Sequence, residues 1–212
     1  MPTMLAPLPS LAEQAQRLIE LELHHHAGLS ESDVRGAARA VGENALLVIN
    51  ADRVAASVLA PMMRHRDRQG FVVEDMTDLD AFTPIEVAAT PDAPLYLVHD
   101  VTRGDEMANW SPDEALPALT SAGRTPLTVA EGIHWLLQQP EALERNHCFM
   151  TIGSRLRRPD GRLDARTPAL WLSNGTGRDG AARRHAPKVG WCWAGNRHTW
   201  LGFASASRRS VA

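Results

Sequence analysis

Residues 169–193, ALWLSNGTGRDGAARRHAPKVGWCW, decide between two folds. Their central part, GTGRDG at 175–180, matches the G-x-G-x-x-G pattern. In dinucleotide-binding proteins that pattern opens a helix, and an acid about 20 residues later binds the ribose. Here Pro187 follows the last glycine by only seven residues, and no Asp or Glu occurs after Asp179. We therefore interpret the glycines as the loop of a hairpin between two apolar strands.

Short apolar runs separated by turn residues continue on both sides of this hairpin. Runs rich in Val, Ile, Leu, Trp and Phe and bounded by Gly, Pro, Asp or Asn are typical of strands. They are Ala45–Ile49, Phe71–Glu74, Leu95–His99, His147–Ile152, Ala169–Leu172, Val189–Trp193 and Trp200–Ala204. Residues 155–166 predict another hairpin connection, with Pro159-Asp160-Gly161 as its turn.

Capping boxes indicate helix starts in the first two thirds of the chain. In this motif a Ser or Thr caps the helix, and an acid three residues later bonds back to it. The pairs are Ser10 with Glu13, Ser30 with Asp33, Ser111 with Glu114, and Thr128 with Glu131. We expect the first helix to end at Gly28, the second at Gly42 and the fourth before Pro140. Pro117 predicts a kink or a restart in the third helix. Residues 54–63 predict a further, weaker helix.

Helices mixed with strands at first, and strands alone afterwards, indicate an α+β fold rather than a regular βαβ alternation. We expect the capped helices to pack on a mixed, largely antiparallel sheet that the C-terminal strands complete. A chain of 212 residues fits a single domain, 1–212. Within it we expect a helix-rich part at about 10–145, a strand-rich part at about 146–206 and a mobile tail at 207–212.

The net charge of −3 hides a split along the chain. Residues 1–149 hold ten Arg against 22 Asp and Glu, a sum of −12, whereas residues 150–212 hold eleven Arg and one Lys against three Asp, a sum of +9. The acids crowd two segments, 74–80 and 103–106. Such carboxylates could hold Mg²⁺ or act as acid or base, but we favour solvated loops or internal partners for the basic third. The charge left over between 178 and 198 then predicts a pocket for a small anion.

Tryptophan and arginine meet in the C-terminal stretch, where four of the six Trp lie. One interpretation is a core hairpin of large aromatic residues around a buried, inert thiol. The second is a pocket in which guanidinium groups and loop amides bind a carboxylate or phosphate and indole rings stack on the ligand. Its candidate binding residues are Arg178, Arg197, Trp191, Trp193, Trp200, Gly175 and Gly177. Arg183, Arg184, His185 and Lys188 lie beside the same glycine-rich loop.

Catalysis is a third interpretation of this stretch. A hairpin turn would return His198 beside Cys192, which would then act as a nucleophile activated by the imidazole. His198 is also the candidate for proton transfer in the anion pocket.

A zinc site is the alternative use of the same residues, since His147, Cys148, Cys192 and His198 supply two Cys and two His. Adjacent residues on a strand point to opposite faces, so His147 and Cys148 are not expected to share one ion. No C-x-x-C or H-x-x-x-H spacing is present. We therefore predict no metal and no cofactor, with zinc and magnesium both disfavoured.

Several strings of this chain resemble an actinobacterial family that is known only as a domain of unknown function. They are Gly70–Asp78, Phe82–Ile85, Arg103–Glu106, Gly123–Thr128, Asn146–Met150 and Gly190–Ser205. The resemblance extends from about residue 10 to the end of the chain. It implies a bacterial cytoplasmic protein of one domain type and transfers no activity, cofactor or catalytic residue.

The sequence favours a cytoplasmic small-molecule enzyme or binding protein for an anionic metabolite, a carboxylate or a phosphate. The alternative is a module that binds single-stranded nucleic acid through the basic third, although the pI of about 6.3 is far below the usual basic signature. A non-catalytic interaction protein is a further alternative, which predicts an exposed apolar patch.

Location and partners follow from what the sequence lacks. The sequence contains no run of about 18 apolar residues, so it predicts no membrane span. The N-terminal residues carry no basic signal region. We therefore expect a cytoplasmic location with two reduced cysteines and no membrane partner. A homodimer remains open.

Overall fold

The computed structural model of the chain describes residues 5–40 and 44–212, and the fold there is α+β, as predicted. The described α-helices are α1 Leu11–Glu20, α2 Leu23–His26, α3 Glu31–Ala37, α4 Ala56–Leu59, α5 Pro112–Ser121 and α6 Val129–Gln138. The strands are β1 Ala45–Ile49, β2 Arg64–His65, β3 Arg68–Gln69, β4 Phe71–Val72, β5 Phe82–Pro84, β6 Leu95–His99, β7 Thr125–Pro126, β8 Cys148–Met150, β9 Ser154–Leu156, β10 Arg166–Leu172, β11 Pro187–Trp193, β12 Leu201–Phe203, β13 Ser205–Ala206 and β14 Arg208–Val211. None of these described helices is long and apolar enough to cross a membrane.

All four predicted capping boxes are formed. Each cap side chain accepts a hydrogen bond from the backbone N–H three residues on, and the acid there accepts one from the N–H of the cap. The caps are Ser10, Ser30, Ser111 and Thr128. The turn at 159–161 is formed as well, since Arg157 and Leu163 pair across it. These local signals therefore predict the local structure well.

Other helix boundaries differ from the prediction. Helix α1 ends at Glu20 because Glu22 takes a left-handed conformation (φ 56°), and the short α2 then ends just before Gly28. Helix α5 continues through Pro117 without the predicted restart, since that residue lies on the solvent side, where a carbonyl that loses its partner can bond to water. Helix α3 ends at Ala37, before the predicted end at Gly42, which itself lies outside the described residues. The weaker helix at 54–63 is α4 followed by a 3-10 turn.

Two sheets carry most of the framework. The larger has the order β12-β8-β10-β11-β4, with antiparallel pairing in its centre and a parallel pair at each end. The smaller is antiparallel in the order β1-β6-β14. The predicted mixed, largely antiparallel arrangement is therefore confirmed. The hairpin interpretation of 169–193 is confirmed too, because β10 and β11 pair from Arg166 opposite Trp193 to Leu172 opposite Pro187.

Helix α6 lies between these sheets, contacts β1 and β10, and is buried at every residue. Gly132 permits the close packing, since a Cβ there would stand 2.6 Å from Cγ2 of Thr151. On the other side, the N–H of Ile49 donates to Nε2 of His134 (3.2 Å), whose Nδ1 lies 2.9 Å from the carbonyl oxygen of Ala130. Burial lowers the pKa of His134 to about 4. This imidazole is therefore a neutral part of the core.

The sequence predicts a mobile tail at 207–212, whereas the structure shows a paired strand there. Strand β14 bonds to β6 and brings the guanidinium of Arg209 to the carboxylate of Glu131 in α6, with Nε–Oε1 2.6 Å and Nη2–Oε2 2.7 Å. The hydroxyl of Tyr96 donates to the same carboxylate (3.0 Å). The tail is thus held in place by strand pairing and by a cation that is the partner of a buried acid.

Candidate ligand-binding site

A crevice of about 320 Å³ opens at one end of the larger sheet, beside the loop that joins β10 to β11. We call it the arginine crevice. Guanidinium groups, an imidazole, indole rings and an amide meet on its walls: Arg145, Arg184, His185, Trp171, Trp200 and Asn174. Four separate segments of the chain supply these residues, so only the folded sheet brings them together.

The β10–β11 loop carries one wall of the arginine crevice, and Asp179 holds its shape. The Asp179 carboxylate accepts hydrogen bonds from Oγ of Ser173 (2.6 Å) and Nζ of Lys188 (2.5 Å). Burial alone would raise the pKa of Asp179, but these two partners outweigh it and the pKa is lowered. The nearly buried ammonium of Lys188 also lies 4.6 Å from the centroid of the Trp171 ring. A cation–π contact thus fixes this indole in the wall.

Gly175 lets Arg184 approach the base of the loop. Its φ is +71°, and a Cβ at this position would stand 2.5 Å from Cβ of Arg184. The next residue, His185, also has a positive φ (66°) and donates its N–H to the carbonyl of Ser173 (2.8 Å). Both residues are exposed. The backbone of the loop therefore presents a guanidinium and an imidazole side by side at the crevice.

A tight turn before β8 carries another wall. Backbone hydrogen bonds of 3.0 Å in both directions join Glu144 to His147, and Asn146 takes φ 66°. Arg145 stands exposed in this turn. Cys148 follows it as a buried wall residue, whose thiol donates to the carbonyl of Glu144 (3.4 Å). Burial raises the pKa of Cys148 to about 11, so the sulfur stays protonated and unreactive at neutral pH.

Four of the eleven arginines of the basic third neutralise acids of the helix-rich part, in the sense that the charge split predicts. The ion pairs between the two parts are Arg166–Asp78, Arg178–Asp75, Arg197–Glu114 and Arg209–Glu131. Arg145 and Arg184 differ from them. Neither guanidinium has an ion-pair partner within residues 5–40 and 44–212, and both line the arginine crevice. The crevice therefore holds uncompensated positive charge.

The structure brings only two of the predicted binding residues to this crevice. Trp200 forms part of its wall, and Gly175 supports Arg184 from behind. Arg178 instead lies 3.1 Å from Asp75.

Four more of the predicted binding residues lie elsewhere. Arg197 binds Glu114. Trp191 and Trp193 pack edge to face with ring centroids 4.6 Å apart, and Gly177 lies in a 3-10 turn of the loop. The structure thus places both predicted arginines in ion pairs away from the arginine crevice, and sequence does not show which guanidinium groups the folded chain neutralises.

The predicted Cys192–His198 pair is not formed. Cys192 lies on β11 opposite Thr167, whereas His198 precedes β12, which lies beyond β10 and β8 in the sheet. Burial raises the pKa of Cys192 to about 11 and lowers the pKa of His198. The imidazole packs on Trp200 instead, with ring centroids 5.4 Å apart. The prediction was wrong because it assumed a hairpin where the chain crosses over to another edge of the sheet.

The alternative zinc set, His147, Cys148, Cys192 and His198, is not assembled either. Within residues 5–40 and 44–212, no three His, Cys, Asp or Glu side chains are grouped closely enough to hold a metal ion. Cys148 lines the arginine crevice, whereas His147, the residue before it, does not.

Three of the four acids at 74–80 act as internal partners, namely Asp75, Asp78 and Asp80. Arg166 binds Asp78 and lowers its pKa, and Asp80 accepts hydrogen bonds from Ser57. Within the described residues, most carboxylates of this segment are therefore already paired and do not form an unpaired cluster at the end of a strand.

Sequence reasoning missed Arg145 and Trp171 as binding residues, and it named Arg184 and His185 only as neighbours of a loop that could wrap an anion. The glycine-rich loop did point to Arg184 and His185, which are its neighbours in sequence. Arg145 had one weak signal, namely a polar Glu-Arg-Asn-His turn directly before a buried strand. Nothing in the sequence, however, indicates that this turn and the loop lie at the same end of the sheet.

Comparison with known proteins identifies a family but no activity. Residues 17–212 match a family described as a family of unknown function (DUF5701). The chain belongs to this family. No curated protein and no solved structure matches the chain. Functional inference for this DUF5701 protein therefore rests on its own residues.

Proposed function

We propose that this protein binds a small organic anion, a carboxylate or phosphate metabolite, in the arginine crevice. One observation carries the proposal: Arg145 and Arg184 line the same crevice, and neither has an acidic partner within residues 5–40 and 44–212. Arginine is the side chain best suited to bind a carboxylate or phosphate through paired N–H groups. A bound anion would balance the charge that the protein itself leaves unbalanced.

The indole walls supply the second element of recognition. The rings of Trp171 and Trp200 meet edge to face, with centroids 6.1 Å apart and an interplanar angle of 63°. Such rings contact planar and apolar groups well, while the amide of Asn174 offers both a donor and acceptors. A volume of about 320 Å³ is at the lower end of the range for ligand pockets, about 300–1,000 Å³. The ligand head is therefore a small metabolite fragment.

Binding, rather than covalent catalysis, is the function that these groups support best. The wall thiol, Cys148, has a pKa of about 11 and is hydrogen-bonded to the backbone. A protonated, buried sulfur is a poor nucleophile. Both cysteines are free, which suits the reducing cytoplasm where such metabolites are abundant.

Isothermal titration calorimetry with phenyl phosphate and benzoate tests the proposal. These probes combine the required anion with a planar ring, and fragments of this size bind with a Kd of about 1 mM. We expect Arg184→Ala to weaken binding about tenfold or more, because a charge-assisted hydrogen bond is lost. Arg145→Ala should act in the same direction.

The matched control is Arg178→Ala. This variant removes the same charge from the same loop, but its guanidinium is exposed and paired with Asp75, so affinity should stay at the wild-type value. Equal losses in Arg178→Ala and Arg184→Ala would mean that only the net charge matters and would overturn the site. Absence of binding of both probes to the wild-type protein would overturn the function.

A further inference from the structure

A second and larger crevice adjoins the arginine crevice. Its volume is about 620 Å³, and apolar side chains make up much of its wall, among them Leu5, Val101, Ala108 and Leu201. We call it the apolar crevice. Asn146 and Trp200 line both crevices and so form a shared rim between them. A ligand in one crevice thus has a neighbouring space of different chemistry within reach.

The cation in the wall of the apolar crevice is already neutralised. Arg103 is 3% exposed, and its Nε and Nη2 donate to Asp105 (2.7 and 2.6 Å). Its Nη1 donates to the carbonyl oxygens of Ala142 (3.1 Å) and His147 (3.5 Å). This guanidinium therefore acts as an internal brace and is not available to a ligand.

The remaining charge of the apolar crevice disfavours an anion. Asp105 is balanced by Arg103, so the remaining negative charge comes from the carboxylate of Glu106, which is exposed and is also a wall residue. Carboxylates repel an anionic group at short range, whereas Arg145 and Arg184 attract one across the rim. The two crevices therefore fix the direction in which an elongated anion would lie.

We propose that the anion is amphipathic, with its carboxylate or phosphate in the arginine crevice and an apolar chain or ring that passes over the Asn146–Trp200 rim into the apolar crevice. This inference rests on the proposed function and names the ligand class of that site. The ring of Trp200 belongs to both walls and contacts the ligand where the head meets the chain. The apolar part contributes affinity by leaving water, at about threefold to fourfold for each fully buried methylene.

A series of alkyl phosphates tests the inference by calorimetry: methyl, butyl and octyl phosphate, each below its micelle concentration. We expect octyl phosphate to bind the wild-type protein at least about tenfold more tightly than methyl phosphate, after incomplete burial of the chain is allowed for. Thr199→Phe fills the apolar crevice from an exposed position. It should remove most of that gain and leave methyl phosphate binding unchanged, and Ala108→Phe should do the same.

The control for added bulk is Val58→Phe, on the exposed face of α4 and outside both crevices, which should change neither affinity. Equal binding of methyl and octyl phosphate would overturn the amphipathic ligand and leave the anion site standing. A chain-length gain that survives both Thr199→Phe and Ala108→Phe would place the chain elsewhere and also overturn the inference. If no member of the series binds, or if octanol binds as tightly as octyl phosphate, the anion site itself is wrong.

Discussion

Arg209 and Arg184 carry the same side chain into opposite surroundings. Arg209 is 5% exposed and bonds through two nitrogens to Glu131, which is fully buried in the central helix. Arg184 stands exposed in the β10–β11 loop and has no acidic partner within the described ranges. The guanidinium of Arg209 stabilises the fold, whereas the guanidinium of Arg184 is available to a ligand.

The difference separates the structural part of the charge split from the functional part. A charge taken out of water must be paired, because an isolated buried ion costs far more than its neutralised pair. An exposed arginine has no such requirement, so the fold does not demand a partner for Arg184. Two unpaired arginines that line the same crevice are therefore better evidence for a ligand than the total charge of +9 in the basic third.

The largest effect is expected for Arg209, the paired arginine of this comparison. Arg209→Met leaves Glu131 buried without its cation and should lower the free energy of unfolding by about 3–5 kcal/mol. Urea denaturation followed by circular dichroism measures it. Arg208→Met, on the exposed side of the same strand, should cost less than about 0.5 kcal/mol.

The double variant Arg209→Met/Glu131→Gln sharpens the same point. Because it removes both charges, it should recover part of the stability that the single variant loses. A loss below about 1 kcal/mol in Arg209→Met alone would show that the tail is not held by this pair.

Gly190→Ala should affect both the packing of the larger sheet and the wall of the arginine crevice. A Cβ at Gly190 would press into the ring of Trp171 and approach Val73 Cγ1 at 3.1 Å. We expect a loss of about 1–3 kcal/mol from overpacking, together with weaker phenyl phosphate binding because the indole shifts in the crevice wall. Gly195→Ala is the matched control, since a Cβ there meets nothing within 4 Å. Unchanged binding in Gly190→Ala would remove Trp171 from the site.

Asp164 differs from both arginines, since it is a buried acid that two cations share. Burial alone would raise its pKa, but the backbone N–H of Arg166 and the guanidinium groups of Arg166 and Arg158 lower it to about 2. A folded-state pKa below the unfolded value means that the stabilisation is present above about pH 4 and is lost as the pH falls towards 2. The loss is at most about 2 kcal/mol. Asp164→Asn should flatten this part of the stability profile, whereas Asp160→Asn in the exposed turn should keep it; equal slopes in wild type and Asp164→Asn would contradict the assignment.

Much of the fold could be predicted because its signals are local. The capping boxes at Ser10, Ser30, Ser111 and Thr128 each depend on residues three positions apart. The hairpin at 169–193 could be separated from a nucleotide-binding motif by Pro187 and by the absence of an acid after Asp179. Such decisions need no knowledge of which strands become neighbours.

The site could not be predicted in the same way, because it depends on strand order. Placing β12 beside β8 separates His198 from Cys192 and brings Trp200 to the turn that holds Arg145. Arg178 and Arg184 look alike in sequence, and only the position of Asp75 in the folded chain distinguishes them. The sequence therefore predicted a basic, tryptophan-rich region, while the free cations within it depend on long-range contacts.

The smallest expected effect on stability is the sharpest test of the comparison. Arg184→Ala should change the free energy of unfolding by less than about 0.5 kcal/mol, because it breaks no ion pair and its Cβ still packs against Gly175. The same variant should weaken phenyl phosphate binding about tenfold, so stability and affinity respond independently. Urea denaturation and calorimetry on one protein preparation measure both quantities. A loss of stability as large as that of Arg209→Met would make Arg184 a structural residue and remove the distinction between the two guanidinium groups, since a charge that the fold requires is not free for a ligand.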